Sequence, residues 1–365
     1  MNNVRLMKPY ITFEEVEADF RAVFDSGMFT RGEHVEAFRQ ELAAFTGAKH
    51  VHLTTSATTA LWVCLKMLGI GPGDEVVVSD FSFPATANVV EDLGATPVFA
   101  DVSRDTYNVL PETLEALLTP RTKAVIFVDA LGNPSGLHAI SALCRSRGIP
   151  LIEDAACAIG SAESGRRCGS IADLTCLSFH PRKLLSTGEG GAITTDNQDW
   201  SRWLDVKLAH GAHGMKGPGL DFVDYGYNFR LPELQAVMGR KQLAKLEGIV
   251  DERVQIRNAY RDLLEPLGFK AQGVGRGVRY NVQSLVFSVS PGCDRNVLIA
   301  TLKARGIEST IGTYALSATT YYAGKYSVVN PESRWLEANT ITLPCYAGVD
   351  VPAVCSAIKD SLIAR

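Results

Sequence analysis

No stretch of this chain approaches the roughly 18 consecutive apolar residues that a membrane-crossing helix needs. The start, Met1 to Pro9, holds no apolar block of the kind a secretory leader requires. Runs of like charge are also missing. The 36 basic and 40 acidic residues leave a formal net charge of −4, without the basic stripe of a nucleic-acid binder. None of the 8 cysteines stands in a C-x-x-C pair, so neither a disulfide framework nor a metal cluster is expected. The thiols read instead as small buried apolar groups in a reducing compartment. Internal repeats and low-complexity tracts are absent too. These absences point to a cytoplasmic globular protein with no membrane, nucleic-acid or metal partner.

What is present is a long chain with ordinary globular composition: 365 residues, of which 46% are hydrophobic and 21% charged. That length allows a sizeable core and suggests roughly two domains. From about 50 to 195, short apolar runs recur without alternation: Glu75–Val78, Pro97–Ala100, Ala124–Val128, Pro150–Ile152 and Thr175–Phe179. Helix-like segments separate them, at Ala57 to Met67, Ala85 to Asp92, Pro111 to Leu118 and Gly136 to Arg147. This alternation predicts an α/β fold with a mostly parallel central sheet covered by helices. Leu234 onward reads as one long amphipathic helix to about 265. It leads into a smaller α+β domain with a strand near Ser284–Val289, a helix near Arg295–Arg305 and a final helix near Pro352–Ala364. The expected division is 1–245 and 246–365. The glycines in Gln272–Gly277 read as a flexible loop, because no strand–turn–helix unit surrounds them.

Ligands of open α/β sheets bind beyond the carboxyl ends of the strands, and polar residues collect there in this chain. Asp154 follows the apolar Pro150–Ile152 run and precedes small residues. A buried carboxylate needs a partner. It is either the N-cap of the next helix or the group that keeps a heterocycle nitrogen protonated, as pyridoxal phosphate requires. Lys183 follows a buried strand and precedes the tight Gly188-Glu189-Gly190-Gly191 turn. A lysine there is a solvated charge or a partly desolvated amine suited to Schiff-base chemistry. Ser178 stands where it could hydrogen-bond a phosphate. Thr54-Thr55-Ser56-Ala57-Thr58 supplies hydroxyls and free amides at a strand-to-helix turn, either a plain cap or an anion site. Phe83, at another strand end, is a core aromatic or a ring that stacks on a pyridine.

Taken in order, these segments are similar to those of the DegT/DnrJ/EryC1/StrS aminotransferases, which have the type I fold of pyridoxal-phosphate enzymes. The resemblance runs through Asp25–Gly32, Ser56–Leu61, Gly94–Val102, Glu153–Ala156, Ser178–His180 with Lys183, Gly188–Gly191, His210-Gly211 and Gly226–Arg230. It implies that Lys183 carries pyridoxal 5'-phosphate covalently and shuttles the proton, while Asp154 pairs with the pyridinium nitrogen. It further implies that Phe83 stacks on the ring, that Ala57, Thr58 and Ser178 bind the phosphate, and that Asn228 reaches the phosphate of a neighbouring subunit in a homodimer. Cys157 stands where relatives have Gln or His, and Ser317 where they place a histidine facing the sugar. Cys157 is expected beside the cofactor, and His180, Glu189, Tyr314 and Ser317 beside the substrate. The implied reaction is ping-pong transfer of an amino group from L-glutamate or L-glutamine to a keto-sugar, expected to be nucleotide-linked and ketonic at C3 or C4. A sugar dehydratase, a cyclitol transaminase and a non-catalytic cofactor sensor are the alternatives.

Overall fold

The computed structural model describes residues 3–363. Seven strands form the central sheet: β1 (His50–Thr54), β2 (Glu75–Ser79), β3 (Thr96–Ala100), β4 (Thr122–Val128), β5 (Leu151–Asp154), β6 (Leu174–Ser178) and β7 (Gly191–Thr195). Their order across the sheet is β1-β7-β6-β5-β4-β2-β3. β7 is antiparallel to both its neighbours, and every other pairing is parallel. Every residue of β2, β5, β6 and β7 is buried. This explains the lack of apolar/polar alternation: both faces of the sheet are covered.

The covering helices begin with α1 (Phe13–Ser26), α2 (Glu33–Thr46), α3 (Ala57–Met67), α4 (Ala85–Asp92), α5 (Pro111–Leu117) and α6 (Leu137–Arg147). α7 (Gln198–Lys207), α8 (Glu233–Leu243) and α9 (Leu246–Leu264) follow. α3 and α4 begin and end where the sequence pattern places them. The long helix expected from about 235 to 265 is instead two, because Lys245 leaves helical geometry at φ −113° and ψ 5°. Unbroken, the segment would extend roughly 48 Å. The break lets α8 stay packed on α1 and α2 while α9 swings toward the C-terminal core.

That second core gathers Tyr260, Leu264, Phe287, Leu302, Ile341 and Ile358. It lies around a four-stranded antiparallel sheet, β10 (Lys270–Ala271), β11 (Leu285–Ser288), β12 (Thr310–Ile311) and β13 (Thr340–Leu343), ordered β10-β11-β13-β12. Before it, β8 (Ala212–Lys216) and β9 (Gly219–Phe222) make a projecting hairpin. α10 (Arg295–Ala304), α11 (Thr320–Lys325), α12 (Pro331–Asn339) and α13 (Val351–Ile363) complete the chain. The expected 245/246 boundary falls at the α8–α9 break. The first turns of α9 nevertheless pack on the large core through Leu246, Ile249 and Val250. The glycine segment near 273 is tied down rather than loose: Gly273 N donates to Asp105 O at 2.8 Å, and a Cβ there would meet the Asp105 carboxylate at 2.4 Å.

Candidate active site

Three strands bring the site together at one sheet end. Thr54 of β1 pairs with Gly191 of β7, and Gly191 pairs with Ser178 of β6, so the three share a row. Gly191 is the hinge of this arrangement. A Cβ on it would lie 2.5 Å from Ser56 C and 2.7 Å from Ala57 N, so only glycine lets the start of α3 sit directly over the row. Ser56 caps α3, its Oγ accepting from Thr59 N at 3.1 Å. The amides of Ala57 and Thr58 then have no intrahelical partner. Ala57 is buried and Thr58 exposed. Together with Ser178 they form a cradle suited to an anion.

Asp154 closes β5, and its backbone pairs with Cys176 of β6 and Val128 of β4. Its Oδ2 accepts from Thr86 Oγ1 at 2.8 Å and its Oδ1 from Ala156 N at 3.2 Å. Burial pushes this carboxyl above its usual range. The Thr86 and Ala156 hydrogen bonds and the Lys183 charge oppose that shift. Such a group is satisfied by a cationic partner. Thr86, in the first turn of α4, is held by Ser82 Oγ at 3.0 Å. Phe83, between those two residues, is 66% exposed, so its ring is free to be covered by a planar ligand. Tyr314 stands beside it, with ring centroids 6.5 Å apart.

Ser317 is placed differently from the expectation. It is fully buried, and its Oγ donates to Asp80 Oδ2 at 2.9 Å while its amide donates to Oδ1 at 2.6 Å. Asp80 directly follows β2 with no solvent, and burial pushes its carboxyl up against the hydrogen bonds from Ser333 and Ser317. Ser317 therefore braces that strand end rather than facing a substrate. Asn228 is exposed and pairs with Ala209 at the base of the β8–β9 hairpin.

Lys183 is half-buried in the loop between β6 and β7, and its Nζ donates to Cys157 Sγ at 3.0 Å. Cys157 is thus the immediate neighbour of the lysine amine. His180 Nδ1 accepts from Arg182 N at 3.2 Å, which leaves Nε2 as the protonated nitrogen, 3.9 Å from Glu189 Oε1. Partial burial lowers the His180 pKa, Lys183 and Arg182 add to this, and Glu189 opposes it. The imidazole is therefore neutral near pH 7.

Beneath Asp154 lies a group that sequence reasoning did not single out. Asp129, Glu153 and Cys168 are buried and bring their side-chain ligand atoms within 4.8 Å of one another. Glu153 Oε2 accepts from Thr175 Oγ1 at 2.7 Å and Gly169 N at 3.1 Å. Asp129 has no such donors. Burial and the Glu153 charge push the Asp129 carboxyl well up. The pair is satisfied when Asp129 holds a proton and donates it to Glu153. Asp129 carries the same signature as Asp154, an acid directly after the apolar Ala124–Val128 run. Thr86 has a weaker signal, a hydroxyl in the first turn after Pro84.

Comparison with known proteins places the chain in a family. The sequence profile of the DegT/DnrJ/EryC1/StrS aminotransferase family matches residues 11–359. The spore coat polysaccharide biosynthesis protein SpsC of Bacillus subtilis (strain 168) is 34% identical over 371 residues, covering 96% of this chain and 95% of that protein. The crystal structure of aminotransferase TlmJ from Streptoalloteichus hindustanus superposes with a TM-score of 0.93 at 29% identity, over 100% of both chains. The PLP-form of Spr1654, a putative sugar aminotransferase from Streptococcus pneumoniae, gives 0.89 at 25% identity, over 98% of this chain and 99% of that one. With a type I fold and a family match over nearly its whole length, the chain belongs to the DegT/DnrJ/EryC1/StrS family of pyridoxal-phosphate-dependent sugar aminotransferases.

Proposed function

We propose that the enzyme takes an amino group from L-glutamate or L-glutamine and delivers it to a nucleotide-linked keto-deoxy sugar, at C3 or C4, in two half-reactions at one site. The observation that carries this reading is the half-buried Lys183 amine held near the buried Asp154 carboxyl, beside an anion cradle. The residues present fit pyridoxal phosphate on one physical ground in particular: the Asp154 carboxyl is buried and calls for a cationic partner. When bound, the cofactor supplies an electrophilic carbonyl and a ring that withdraws electrons from the amine-bearing carbon.

In this reading Asp154 stays ionised by facing the protonated ring nitrogen, and Thr86 fixes its orientation. The first amides of α3, around Ala57 and Thr58, bind the phosphate together with Ser178. Phe83 covers one ring face and keeps water from it. Lys183 would hold the cofactor through Nζ and, as a free amine, would move a proton at that atom. Cys157 receives the freed amine. His180, Glu189 and Tyr314 line the side from which substrate enters, with neutral His180 able to donate from Nε2. Asn228 completes the phosphate site of a second copy, which makes a homodimer the working unit.

The test is the visible spectrum of protein reconstituted with pyridoxal phosphate, before and after L-glutamate and then L-glutamine. A cofactor band that one donor bleaches and a keto-sugar restores is expected. A band that ignores both donors would remove the donor assignment. Lys183→Ala is expected to lose borohydride-trappable cofactor and transamination, by at least about 1,000-fold in rate. Retained turnover would sink the role given to this lysine.

A further inference from the structure

The loop that carries Lys183 is not held by its own neighbours in sequence alone. Gln283, about a hundred residues later, grips the backbone on both sides of the lysine. Its Oε1 accepts from Leu184 N at 2.9 Å, and its Nε2 donates to Arg182 O at 2.7 Å. One side-chain amide thereby satisfies the peptide groups that flank Lys183. Gln283 is itself buried, so water is a poor substitute for either bond.

The segment presenting Gln283 is held in an unfavourable shape. Val282 has φ of 54°, the left-handed region that a β-branched side chain avoids. Such a conformation persists where surroundings over-determine it, and they do so here. Arg253, fully buried, donates from Nε to Val282 O at 2.8 Å and from Nη2 to Gln283 O at 3.0 Å. Asn281 Oδ1 accepts from Gln283 N at 2.9 Å.

Asn281 also reaches the other member of the lysine pair. Its Nδ2 donates to Cys157 O at 2.8 Å and to Ile159 O at 2.9 Å. This needs Gly132, where a Cβ would lie 2.1 Å from Asn281 Oδ1 and 2.7 Å from Cys157 O. Residues 281–283 thus fix the backbone of Cys157 with one end and that of Lys183 with the other. The 3.0 Å approach of Nζ to Sγ lies between two points pinned by the same tripeptide.

We propose that Gln283 is a positioning residue for Lys183, and that the Asn281–Gln283 clamp sets where the lysine amine stands for cofactor capture and proton transfer. The inference rests on the reading that Lys183 is the residue that carries the cofactor.

The experiment compares wild type with Gln283→Met, which keeps the volume and removes both hydrogen bonds, and Gln283→Glu, which keeps the acceptor for Leu184 N. Each apoprotein is mixed with pyridoxal phosphate, quenched with borohydride at intervals, and mapped by peptide mass. The pH midpoint of the visible band is measured alongside. We expect label on Lys183 in all three proteins, with capture in Gln283→Met slowed at least about tenfold and its pH midpoint displaced. Gln283→Glu should fall between the two. Competition by inorganic phosphate should be unchanged, which a general loss of structure would not allow. Capture in Gln283→Met within about twofold of wild type, at the same midpoint, overturns the proposal. Should that variant not fold, Gln283→Glu decides by the same comparison. Label on a residue other than Lys183 in the wild type would instead remove the underlying reading, a distinguishable result.

Discussion

At the scale of single residues, the site is a problem of buried charge. Asp154, Asp80, Glu153 and Asp129 all sit at or just beyond strand ends with little or no solvent. The first three are met by hydroxyl and amide donors, whereas Asp129 is met by a proton. Its folded pKa lies above that of the unfolded chain, about 3.9. Below the unfolded value both states hold the proton. As pH rises from there toward the folded value, the native state keeps a proton that the unfolded state has lost. Wild-type stability therefore falls with rising pH, by up to about 1.4 kcal/mol per pH unit for this one group. Asp129→Asn keeps a neutral donor toward Glu153 and removes that slope. Urea midpoints measured from pH 4 upward should diverge in favour of the variant, and parallel curves would refute the shared proton. Asp154 and Lys183 were legible in the sequence because charges beside apolar strands are conspicuous. Asp129 obeys the same pattern. Gln283 and Asn281 were not legible, since nothing near them in sequence announces contacts to the backbone flanking Lys183 and to Cys157, more than 90 residues away.

Among elements, the strands and the helices between them follow from sequence because each has a simple physical signature. A run buried on both faces lacks alternation, and a helix over it shows one apolar stripe. α1 and α2 escaped because their placement depends on α8, which packs on both and whose Glu233 accepts from the amides of Gly32, His34 and Val35 at the start of α2. The α8–α9 break escaped for a related reason: Lys245 carries no proline or glycine to mark it. A tight backbone approach lies where β7 meets α3. Gly191→Ala would push a methyl into Ser56 and Ala57, a destabilisation of about 1–3 kcal/mol. Its larger expected effect is on the anion cradle, because the α3 amides must move to make room. Cofactor retention on dialysis should fall well before thermal unfolding does. Equal retention at reduced stability would separate the glycine from the cradle.

For the whole molecule, the feature least explained by one chain is the β8–β9 hairpin. Met215, Leu220, Phe222, Val223 and Tyr225 are all exposed on it or just after it. Lys207 anchors its base, with Nζ donating to Tyr225 O at 2.9 Å and paired with Asp224 at 2.7 Å. An apolar projection held this firmly fits a surface meant for a second copy. Phe222→Lys should shift the mass in solution toward the monomer while leaving the fold within about 0.5 kcal/mol of wild type. It should also lower cofactor retention, because Asn228 follows this hairpin. A variant that remains dimeric and keeps its cofactor would place the shared surface elsewhere.

The pairing of β1 with β7 also has a consequence in time. Thr54 meets Gly191 and His50 meets Thr195, so the first strand of the sheet finds its only strand partner among the described residues 137 to 145 positions later. At translation rates of about 5–20 residues per second, that interval is roughly 7–30 s. Throughout it the nascent chain carries a strand with both edges open, next to a helix start that has nothing yet to rest on. The last strand to arrive is also the one that brings the lysine loop into register. The start of α3 and the Lys183 amine are thus brought together in a single event, after every parallel strand has already been made.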